Sequence, residues 1–271
     1  MDATAGLPAE NRPDAVPVRI YSAEWVLPVS APPLANGAVA IEGDTIRAVG
    51  PLEEVQAAYP VAELTDFHHA ILLPGFVNCH SHIEYAVFRG LLDNRNFGPW
   101  ILDFIDYRRR LEADDFITSA MLGASECAAS GITTLADATF TGASLKAISK
   151  AGLRARVYQE VFGIDDHRLA ETMGELAAAV DELQGHQGGL IEAGVFPHAP
   201  YTVSAGLYRA VAELARERGL KMATHLAESR EESKYIRSGS GVLALDLREK
   251  VGWDHISREP FGVSPVKYLQ Q

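Results

Sequence analysis

The first part of the chain, from residue 18 to residue 69, contains short runs of β-branched and apolar residues that predict β-strands. Gly43 and Asp44 separate two of these runs and favour a tight turn, so the two runs predict a hairpin. So few strands cannot bury both faces of a sheet with these residues alone. The predicted strands are 18–29, 38–41, 45–49 and 63–77, and a short helix is predicted over 51–59.

The pattern changes from residue 70 onward, where apolar strand-like segments alternate with amphipathic helix-like segments. This alternation predicts about five strand–helix units and a parallel sheet with helices outside it. The fold class is therefore α/β, and a doubly wound open sheet and a (β/α)8 barrel both fit the pattern. The predicted strands are 70–77, 132–135, 154–162, 190–196 and 220–224, and the predicted helices are 100–111, 114–131, 143–150, 167–183, 204–219 and 230–250. The candidate helix caps are Asp114 or Asp115 for the second helix and Ser204 for the fifth.

Polar side chains follow the predicted strands, and their positions favour the barrel. The candidates are His80, His82, Asp137, His198 and His225. Barrel active sites form at the carboxyl ends of the strands. The sequence has no Gly-x-Gly-x-x-Gly segment of the kind that a dinucleotide-binding open sheet uses. Five units do not close an eight-stranded barrel, so we expect residues 70–271 to form an incomplete one.

Charge and cysteine content narrow the class of protein. The formal net charge is −12 at pH 7, which argues against nucleic acid and anionic membrane surfaces as partners. The two cysteines, Cys79 and Cys127, have no zinc or redox spacing, and a cytoplasmic protein with reduced thiols is the simplest interpretation. Residues 1–17 lack the apolar core of a signal peptide or membrane segment, and we expect them to be disordered.

The stretch from Leu73 to His82 reads Leu-Pro-Gly-Phe-Val-Asn-Cys-His-Ser-His and ends in two histidines. Side chains two residues apart on a strand point the same way, so His80 and His82 can converge on one metal ion. Neutral imidazole is a common zinc ligand and also suits iron. Alternatively, the two histidines are polar residues at a strand end and bind nothing.

Two later stretches add candidate residues. His225 follows a short apolar strand and is a candidate third ligand, and Glu228 is close enough to act as a general acid/base beside a metal-bound water. Alternatively, Glu228 lies in the first turn of a helix, where the helix dipole favours it. His198 stands between Pro197 and Pro200, which fix the backbone and so the direction of the imidazole. A structural histidine in a turn is an equally good interpretation.

Taken together, these stretches resemble the amidohydrolase superfamily. The closest likeness is to its aminohydrolase branch, which contains chlorohydrolases and the cytosine, guanine and S-adenosylhomocysteine-type deaminases. The resemblance runs from about residue 18 to the end of the chain, and the motifs occur in the order that the branch shows. They are Gly43–Ile46 with Val49-Gly50, Leu73–His82, Phe88–Leu91 with Trp100, His198–Ser204 and His225–Glu228.

The resemblance implies a partial (β/α)8 barrel, preceded over 18–69 by part of a small β-sandwich. It implies that His80, His82 and His225 bind one divalent ion, zinc in the first place and otherwise iron. Glu228 would be the acid that shuttles protons. The implied activity is hydrolysis of a carbon–nitrogen bond other than a peptide bond. Within that class we expect deamination of a nucleobase- or nucleoside-like heterocycle by a metal-bound hydroxide.

The resemblance also implies how the substrate is held. Trp100 and His198 are expected to contact it, and His198 would stabilise developing charge. Nucleoside-deaminating members carry an acidic ribose contact after the helix that begins at the tryptophan, and this chain has Tyr107–Arg110 there. Glu84 could replace that contact, or it could be a solvated charge at the start of a loop. The arginines could meet an anionic group of the substrate, but we favour a solvated helix face.

Two members of the family's site are absent from this sequence. The family has a further histidine after the sixth strand and an aspartate after the eighth, and Gln271 comes before either position. His255 lies in a loop or at a helix end, and we do not assign it as a ligand. We therefore expect the first part of an enzyme. The alternatives are a chlorohydrolase or amidase on the same scaffold, and an inactive truncated fragment. We expect a small-molecule substrate, a cytoplasmic location and, as a prior for folds of this size, a homodimer.

Overall fold

The computed structural model describes residues 16–186, 188–256 and 259–270. The chain divides into two compact units, of which the first ends at Gly75 and the second begins at Phe76. The predicted disorder over residues 1–17 concerns a segment that lies, apart from Val16 and Pro17, outside the described residues. None of the described helices has the length and apolar character that crossing a bilayer requires.

The first unit contains one sheet and one helix. Its elements are β1 (Val18–Val26), β2 (Leu34–Glu42), β3 (Thr45–Pro51), α1 (Leu52–Ala58), β4 (Glu63–Asp66) and β5 (Ile71–Leu72). The sheet has the order β3–β2–β1–β4, and β5 also pairs with β1. The predicted hairpin is confirmed, because β2 and β3 are antiparallel and Gly43 turns between them with a φ of 61°. A small core forms where Val55 of α1 packs against Ile20, Ala38 and Ala40 of the sheet.

The prediction of one strand over 63–77 is wrong, because the chain breaks twice in this stretch. The Asp66 carboxylate accepts a hydrogen bond from the His68 N–H at 2.9 Å, and His68 has a left-handed backbone with a φ of 53°. This local turn ends β4. The second break covers residues 73–75 and separates β5 from the first strand of the second unit.

The second unit is built on a parallel sheet. Its strands are β6 (Phe76–Ser81), β7 (Ile132–Thr139), β8 (Arg154–Val161), β9 (Ile191–Pro197) and β10 (Lys221–Met222). They lie in the order β10–β9–β8–β7–β6, and every neighbouring pair is parallel. An order that follows the chain without reversal is that of a barrel and not of a doubly wound sheet. The predicted partial barrel of five strands is therefore confirmed.

Helices connect these strands, and local caps fix their ends. The helices are α2 (Phe97–Arg108), α3 (Ala113–Ala129), α4 (Ala143–Ala151), α5 (Leu169–Gly185), α6 (Ala205–Glu217), α7 (Arg230–Ser238), α8 (Asp246–Lys250) and α9 (Pro265–Leu269). Ser204 caps α6 as predicted. At α3 the Asp115 carboxylate accepts a hydrogen bond from the Glu112 N–H at 2.9 Å, so Glu112 and neither aspartate is the cap. The predicted helix over 230–250 is two helices, because Gly239 ends α7 with a left-handed backbone.

Two apolar clusters hold the helices against the sheet. One contains Leu135 and Val157 of the strands together with Ile148 of α4, and the other contains Val195 of β9 with Val211 of α6. Burial of each such side chain stabilises the fold by roughly 1.5–3 kcal/mol. The clusters fix the strands relative to one another, and the carboxyl ends of all five strands therefore lie along one edge.

A substitution at Gly194, in the middle of β9, tests how closely β9 packs against its neighbours β8 and β10. A methyl group on Gly194 would lie 2.5 Å from Cδ1 of Tyr158 and 3.0 Å from the backbone oxygen of Lys221. We therefore expect Gly194→Ala to lower the free energy of unfolding by about 1–3 kcal/mol. Gly174 in α5 is the matched control, since a methyl group there meets no atom within 4 Å. Gly174→Ala should stabilise the helix by about 0.5–1 kcal/mol. Thermal unfolding midpoints measure both effects, and an unchanged midpoint for Gly194→Ala would contradict the packing.

A candidate metal centre at the carboxyl ends of the strands

Three histidines meet at the carboxyl edge of the parallel sheet. His80 is the second-to-last residue of β6, His82 follows that strand directly, and His225 comes three residues after β10. One nitrogen of each imidazole lies within 4.8 Å of a nitrogen of each of the other two. Nε2 of His82 and Nε2 of His225 are 3.3 Å apart. The structure thus brings together the three side chains that the sequence singled out as ligands.

Two of the three nitrogen donors have the separation that a zinc ion requires. Nitrogen ligands about 2.0–2.1 Å from a tetrahedral zinc ion lie roughly 3.3–3.4 Å from one another. The Nε2 atoms of His82 and His225 have this separation. Three nitrogen ligands are also the protein donor set of some catalytic zinc centres. Iron accepts the same imidazole donors.

Burial and mutual repulsion keep the three imidazoles neutral. Burial, with His225 and His80 close by, lowers the pKa of His82 to about 3. Burial, with His80 close by, lowers the pKa of His225 to about 4. Burial also lowers the pKa of His80. A neutral ring offers the lone pair that a metal ion requires, so near pH 7 these side chains are in the state that binds metal.

His198 lies directly after β9 and lines the same cavity. Its carbonyl oxygen accepts a hydrogen bond from the His225 N–H at 2.8 Å, which ties the two histidine-bearing segments together. Nδ1 of His198 lies 2.7 Å from Oγ1 of Thr202, so Nε2 is the nitrogen that remains available to a ligand. Burial, with His225 and His82 close by, holds the pKa of His198 well below its ordinary value.

Glu160, near the end of β8, is a buried carboxylate that sequence analysis missed. Its Oε1 lies 3.9 Å from Nδ1 of His82, and neither atom has a hydrogen-bond partner among the described residues. Burial, with the charge of Glu84, raises the pKa of Glu160 to about 8, although Arg108 acts in the opposite direction. A carboxyl group of this kind beside a histidine cluster is typical of functional sites.

Glu160 also belongs to a second group of potential ligands. One atom each of Glu160, His198 and His225 lie within 4.8 Å of one another, so these residues could also hold a metal ion. The sequence signal was the same as for the histidines, because Glu160 stands near the end of the predicted strand over 154–162. The apolar residues of that segment predict the strand, and its acid carries no periodic signal of its own.

Glu228 lies beside the histidines and outside the following helix. α7 is capped by Ser229, so the alternative that placed Glu228 in the first helical turn is wrong. Oε1 of Glu228 accepts a hydrogen bond from the Tyr201 hydroxyl at 2.5 Å, and Oε2 lies 3.9 Å from Nδ1 of His225. Burial raises the pKa of Glu228, and the Tyr201 hydrogen bond acts against this. The result is a partly dehydrated carboxylate that is held in one position.

A second glutamate, Glu232, supports the backbone that carries Glu228. The Glu232 carboxylate accepts hydrogen bonds from the N–H groups of Ala227 at 3.1 Å and Glu228 at 2.7 Å. Ala227 has a φ of 56°, a strained conformation for a residue with a side chain, and such backbone persists where its surroundings hold it. Oγ of Ser229 accepts a hydrogen bond from the Glu232 N–H at 3.0 Å. The spacing of Ser229 and Glu232 is that of a capping box, and this signal could have identified Glu232 from the sequence.

The histidines open into a cavity of about 640 Å³ whose walls are largely aromatic. Trp100 lies in this wall, with its ring 5.3 Å from that of Phe104 and 5.9 Å from that of Phe97. The Phe162 ring lies 4.5 Å from the ring of His198. Flat apolar walls next to ionisable groups are suited to a planar heterocycle.

Glu84 does not line the cavity. Its side chain is fully buried, so the alternative of a solvated charge is also wrong. The carboxylate accepts hydrogen bonds from the hydroxyl groups of Thr139 and Thr141, each at 2.6 Å, and from the Phe140 N–H at 2.9 Å. Because both oxygens of Glu84 are occupied in this way, its role is to hold the loop after β7.

Asp137, which we expected at a strand end near the site, links two strands below the cavity. Its Oδ1 accepts hydrogen bonds from the Ser81 hydroxyl at 2.7 Å and from the Ile83 N–H at 2.9 Å. Burial raises the pKa of Asp137 to about 7. Asp137 therefore fixes the segment that carries His82.

The three consecutive arginines at the end of α2 have different surroundings. Arg110 is exposed, and its guanidinium carbon lies 5.2 Å from the centroid of the Tyr107 ring. Arg109 donates a hydrogen bond to the carbonyl oxygen of Lys250 at 2.7 Å. Arg108 is half-buried and lies in the wall of the cavity. The solvated helix face that we favoured is therefore wrong for Arg108.

Comparisons with known proteins place most of the second unit in one family. The model of the amidohydrolase family matches residues 71–253. A model of the imidazolonepropionase-like composite domain of bacteria matches residues 37–60. The chain is similar to a 5-methylthioadenosine/S-adenosylhomocysteine deaminase of Pelotomaculum thermopropionicum, with 31% identity over 219 residues, which are 80% of this chain and 50% of the relative. The chain spans about half the length of the curated relatives it matches.

Two solved structures show the same fold. The aminofutalosine deaminase of Helicobacter pylori in complex with methylthio-coformycin superposes with a TM-score of 0.78 at 21% identity, over 89% of this chain and 58% of that one. A triazine hydrolase of Arthrobacter aurescens superposes with a TM-score of 0.69 at 18% identity, over 87% of this chain and 58% of that one. At these identities the likeness is one of fold.

Metal analysis of single-histidine variants tests the ligand assignment. We expect His82→Ala and His225→Ala to weaken zinc binding by more than about 100-fold, because the loss of even an outer partner of a ligand costs about 10–100-fold. His186→Ala is the matched control, since His186 is exposed at the end of α5 and hydrogen-bonds to the carbonyl oxygen of Glu182. Zinc content after dialysis is measured by mass spectrometry. Stoichiometric zinc in both site variants would contradict the assignment.

Proposed function

The chain belongs to the amidohydrolase family, and we propose that it provides the metal centre of an aminohydrolase that deaminates a nucleoside-like heterocycle. The observation that carries this proposal is the convergence of His80, His82 and His225 beside Glu228 in one aromatic cavity. A volume of about 640 Å³ is within the usual range for a site that takes a small organic molecule. Relatives named as deaminases of 5-methylthioadenosine, S-adenosylhomocysteine and 5'-deoxyadenosine support this class of reaction.

His80, His82 and His225 would hold one divalent ion, for which we propose zinc. The support comes from their neutral rings and from the 3.3 Å separation of two of their nitrogens. When bound, the ion supplies Lewis acidity and makes water nucleophilic near neutral pH.

Glu228 is the proposed proton carrier. Water adds to the ring carbon that bears the amino group, and Glu228 takes one proton from this water and gives it to the adjacent ring nitrogen. The proton of the new hydroxyl group then passes to the amino group, which leaves as ammonia while the carbonyl forms. The raised pKa of Glu228 brings its proton affinity closer to neutrality, and Tyr201 holds the carboxylate in place.

His198 and Trp100 are the proposed substrate contacts. Thr202 occupies Nδ1 of His198, so Nε2 is left to hydrogen-bond to the substrate and to stabilise charge that develops on it. Trp100 and Phe104 offer a stacking surface for the heterocycle. Glu84 has no part in this proposal, because its oxygens are bonded within the fold.

Glu160 is proposed to orient His82. A metal-binding histidine usually donates its other ring N–H to a carboxylate, a carbonyl or water. Nδ1 of His82 and Oε1 of Glu160 are 3.9 Å apart, and the backbone of Ala138 also acts on the His82 ring. Oε1 of Glu160 has no hydrogen-bond partner among the described residues, which leaves it free to accept from the His82 N–H.

The net charge and the cysteines bear on the partners of the protein and on its location in the cell. We propose that the protein acts on a small molecule in the cytoplasm and not on nucleic acid or a membrane. The net charge of −12 supports the exclusion of polyanions. Both Cys79 and Cys127 are free, as expected in a reducing compartment. The homodimer stays a prediction.

Glu228→Gln tests the proton-carrier role. We expect the variant to keep its zinc and to lose at least about 100-fold in kcat, since general acid/base catalysis contributes about 10²–10⁴-fold. Glu231→Gln is the matched control, because Glu231 lies in the first turn of α7 and does not line the cavity. The assay follows ammonia release from 5'-methylthioadenosine, with zinc content measured on the same samples. A kcat within threefold of the unmodified protein would remove Glu228 from the mechanism.

The same assay separates the proposed activity from its alternatives. Chloride release from a chlorotriazine, without ammonia from any nucleoside, would point to a chlorohydrolase. Release of an amine from a simple amide would point to an amidase. Zinc binding without turnover of any of these compounds would contradict the enzymatic proposal for this chain.

Glu160→Gln tests the orienting role. At pH 9, above the pKa of about 8 at which Glu160 ionises, zinc affinity should fall by about 10–100-fold, because a neutral amide supports the His82 N–H less strongly than a carboxylate does. Glu192→Gln is the control, since Glu192 is on β9 and its exposed side chain pairs with Arg156. Competition with a fluorescent chelator gives the zinc dissociation constant. Equal constants for Glu160→Gln and the unmodified protein would show that Glu160 does not act on His82.

A further inference from the structure

Arg108, the last residue of α2, is a cationic side chain in the cavity wall that the proposed reaction does not use. Its Nε is buried and has no hydrogen-bond partner in the part of the chain that the structure describes. Across residues 16–186, 188–256 and 259–270, the side chain also takes part in no ion pair. A buried donor on a charged group without a partner is costly, so its presence at a ligand cavity points to a group that arrives with the ligand.

The other arginines of the cavity wall are already engaged. Arg89 donates two hydrogen bonds to the Glu126 carboxylate, each at 2.5 Å. Arg109 donates to the carbonyl oxygen of Lys250. Among the described residues that line the cavity, Arg108 is therefore the arginine that neither forms an ion pair nor donates a hydrogen bond.

The guanidinium of Arg108 is oriented by an aromatic ring. Its central carbon lies 4.2 Å from the centroid of the Phe140 ring, so one face of the planar group is covered. The N–H groups of a guanidinium lie in its plane, and stacking leaves them free to donate. The loop that carries Phe140 is in turn held by Glu84, so this support is part of the fold.

A continuous wall leads from Arg108 to the histidines. The Phe140 and Phe162 rings are 5.4 Å apart, and Phe162 lies 4.5 Å from the ring of His198. A ligand whose heterocycle stands beside His198 can therefore extend along these rings and reach the guanidinium with its other end.

Three ionisable side chains of the cavity wall lie near Arg108, and none of them pairs with it. The positive charge of Arg108 lowers the pKa values of Glu160 and Tyr85, in each case against a larger effect of burial, and it adds to the effect of burial that lowers the pKa of His198. No ion pair or hydrogen bond joins Arg108 to any of the three within the described part of the chain. These groups share the cavity with Arg108 and leave its N–H edge unoccupied.

We propose that Arg108 binds a carboxylate carried by the substrate at the end away from the reacting carbon. A planar guanidinium matches a carboxylate with two parallel N–H···O bonds. One unpaired guanidinium also balances one negative charge, which favours a carboxylate over a doubly charged phosphate. The assignment of the reacting end rests on the proposed function, whereas the anion site rests on Arg108 and its surroundings.

A matched set of ligands tests the proposal by direct binding. The probes are 5'-methylthioadenosine, its analogue with a carboxymethylthio group in place of methylthio, and adenosine 5'-monophosphate. Binding is followed by the fluorescence of Trp100 and Trp253, which both line the cavity. We expect the carboxylate ligand to bind the unmodified protein about 10–100-fold more tightly than 5'-methylthioadenosine, the usual range for a charge-assisted pair.

Variants of the arginines assign this preference. Arg108→Gln should remove the preference, so that the carboxylate ligand and 5'-methylthioadenosine bind this variant with affinities within about twofold of each other. Arg108→Lys should restore part of it, because the charge is kept and the planar fork is lost. Arg110→Gln is the matched control, since Arg110 is exposed on the same helix end and does not line the cavity. It should bind all three ligands as the unmodified protein does.

The outcomes separate this inference from the proposed function. The carboxylate proposal is overturned if the unmodified protein binds none of the ligands, shows no preference, prefers the phosphate, or keeps its preference in Arg108→Gln. Ammonia release from the two thioethers is measured on the same samples. A preference that depends on Arg108 in a protein that releases no ammonia would support the anion site and contradict deamination. Ammonia release together with a preference that does not depend on Arg108 would support deamination and contradict the anion site.

Discussion

The parallel register of five strands is the constraint on which the candidate site depends. Because β6 to β10 all end at one edge, His80 and His225 meet although most of the second unit separates them in sequence. Backbone pairing continues beyond the strands, since the His225 N–H donates to the carbonyl oxygen of His198. The histidines are therefore carried by the sheet and its immediate extensions.

Buried carboxylates that never reach the cavity hold the segments around it. Glu84 fixes the loop after β7, Asp137 fixes the segment that carries His82, and Glu232 fixes the backbone of Glu228. Each accepts at least two hydrogen bonds from backbone or hydroxyl groups, which offsets the cost of taking a carboxyl group out of water. The acids of the site differ from these in position, because Glu160 and Glu228 both line the cavity. Glu228 is held there by a single hydroxyl group, that of Tyr201.

Sequence reasoning found the strands and the histidines, because both leave a periodic signal along one element. An apolar run that ends in His80 and His82 shows its own geometry, since residues two apart share a face. It did not find Glu160 or the position of Arg108, whose roles depend on contacts between elements. Arg108 ends α2, and the ring it stacks on follows β7. The strand predicted over 63–77 failed for a local reason, because its apolar content concealed the turn that Asp66 makes.

The central claim is that three histidines at the strand ends form one metal site, and anomalous diffraction tests it most directly. Crystals grown with zinc would be measured on both sides of the zinc absorption edge. We expect one strong anomalous peak about 2.0–2.1 Å from a nitrogen of each of His80, His82 and His225. A peak held by Glu160 and His198 without His80 and His82, or no peak near any of these residues, would contradict it.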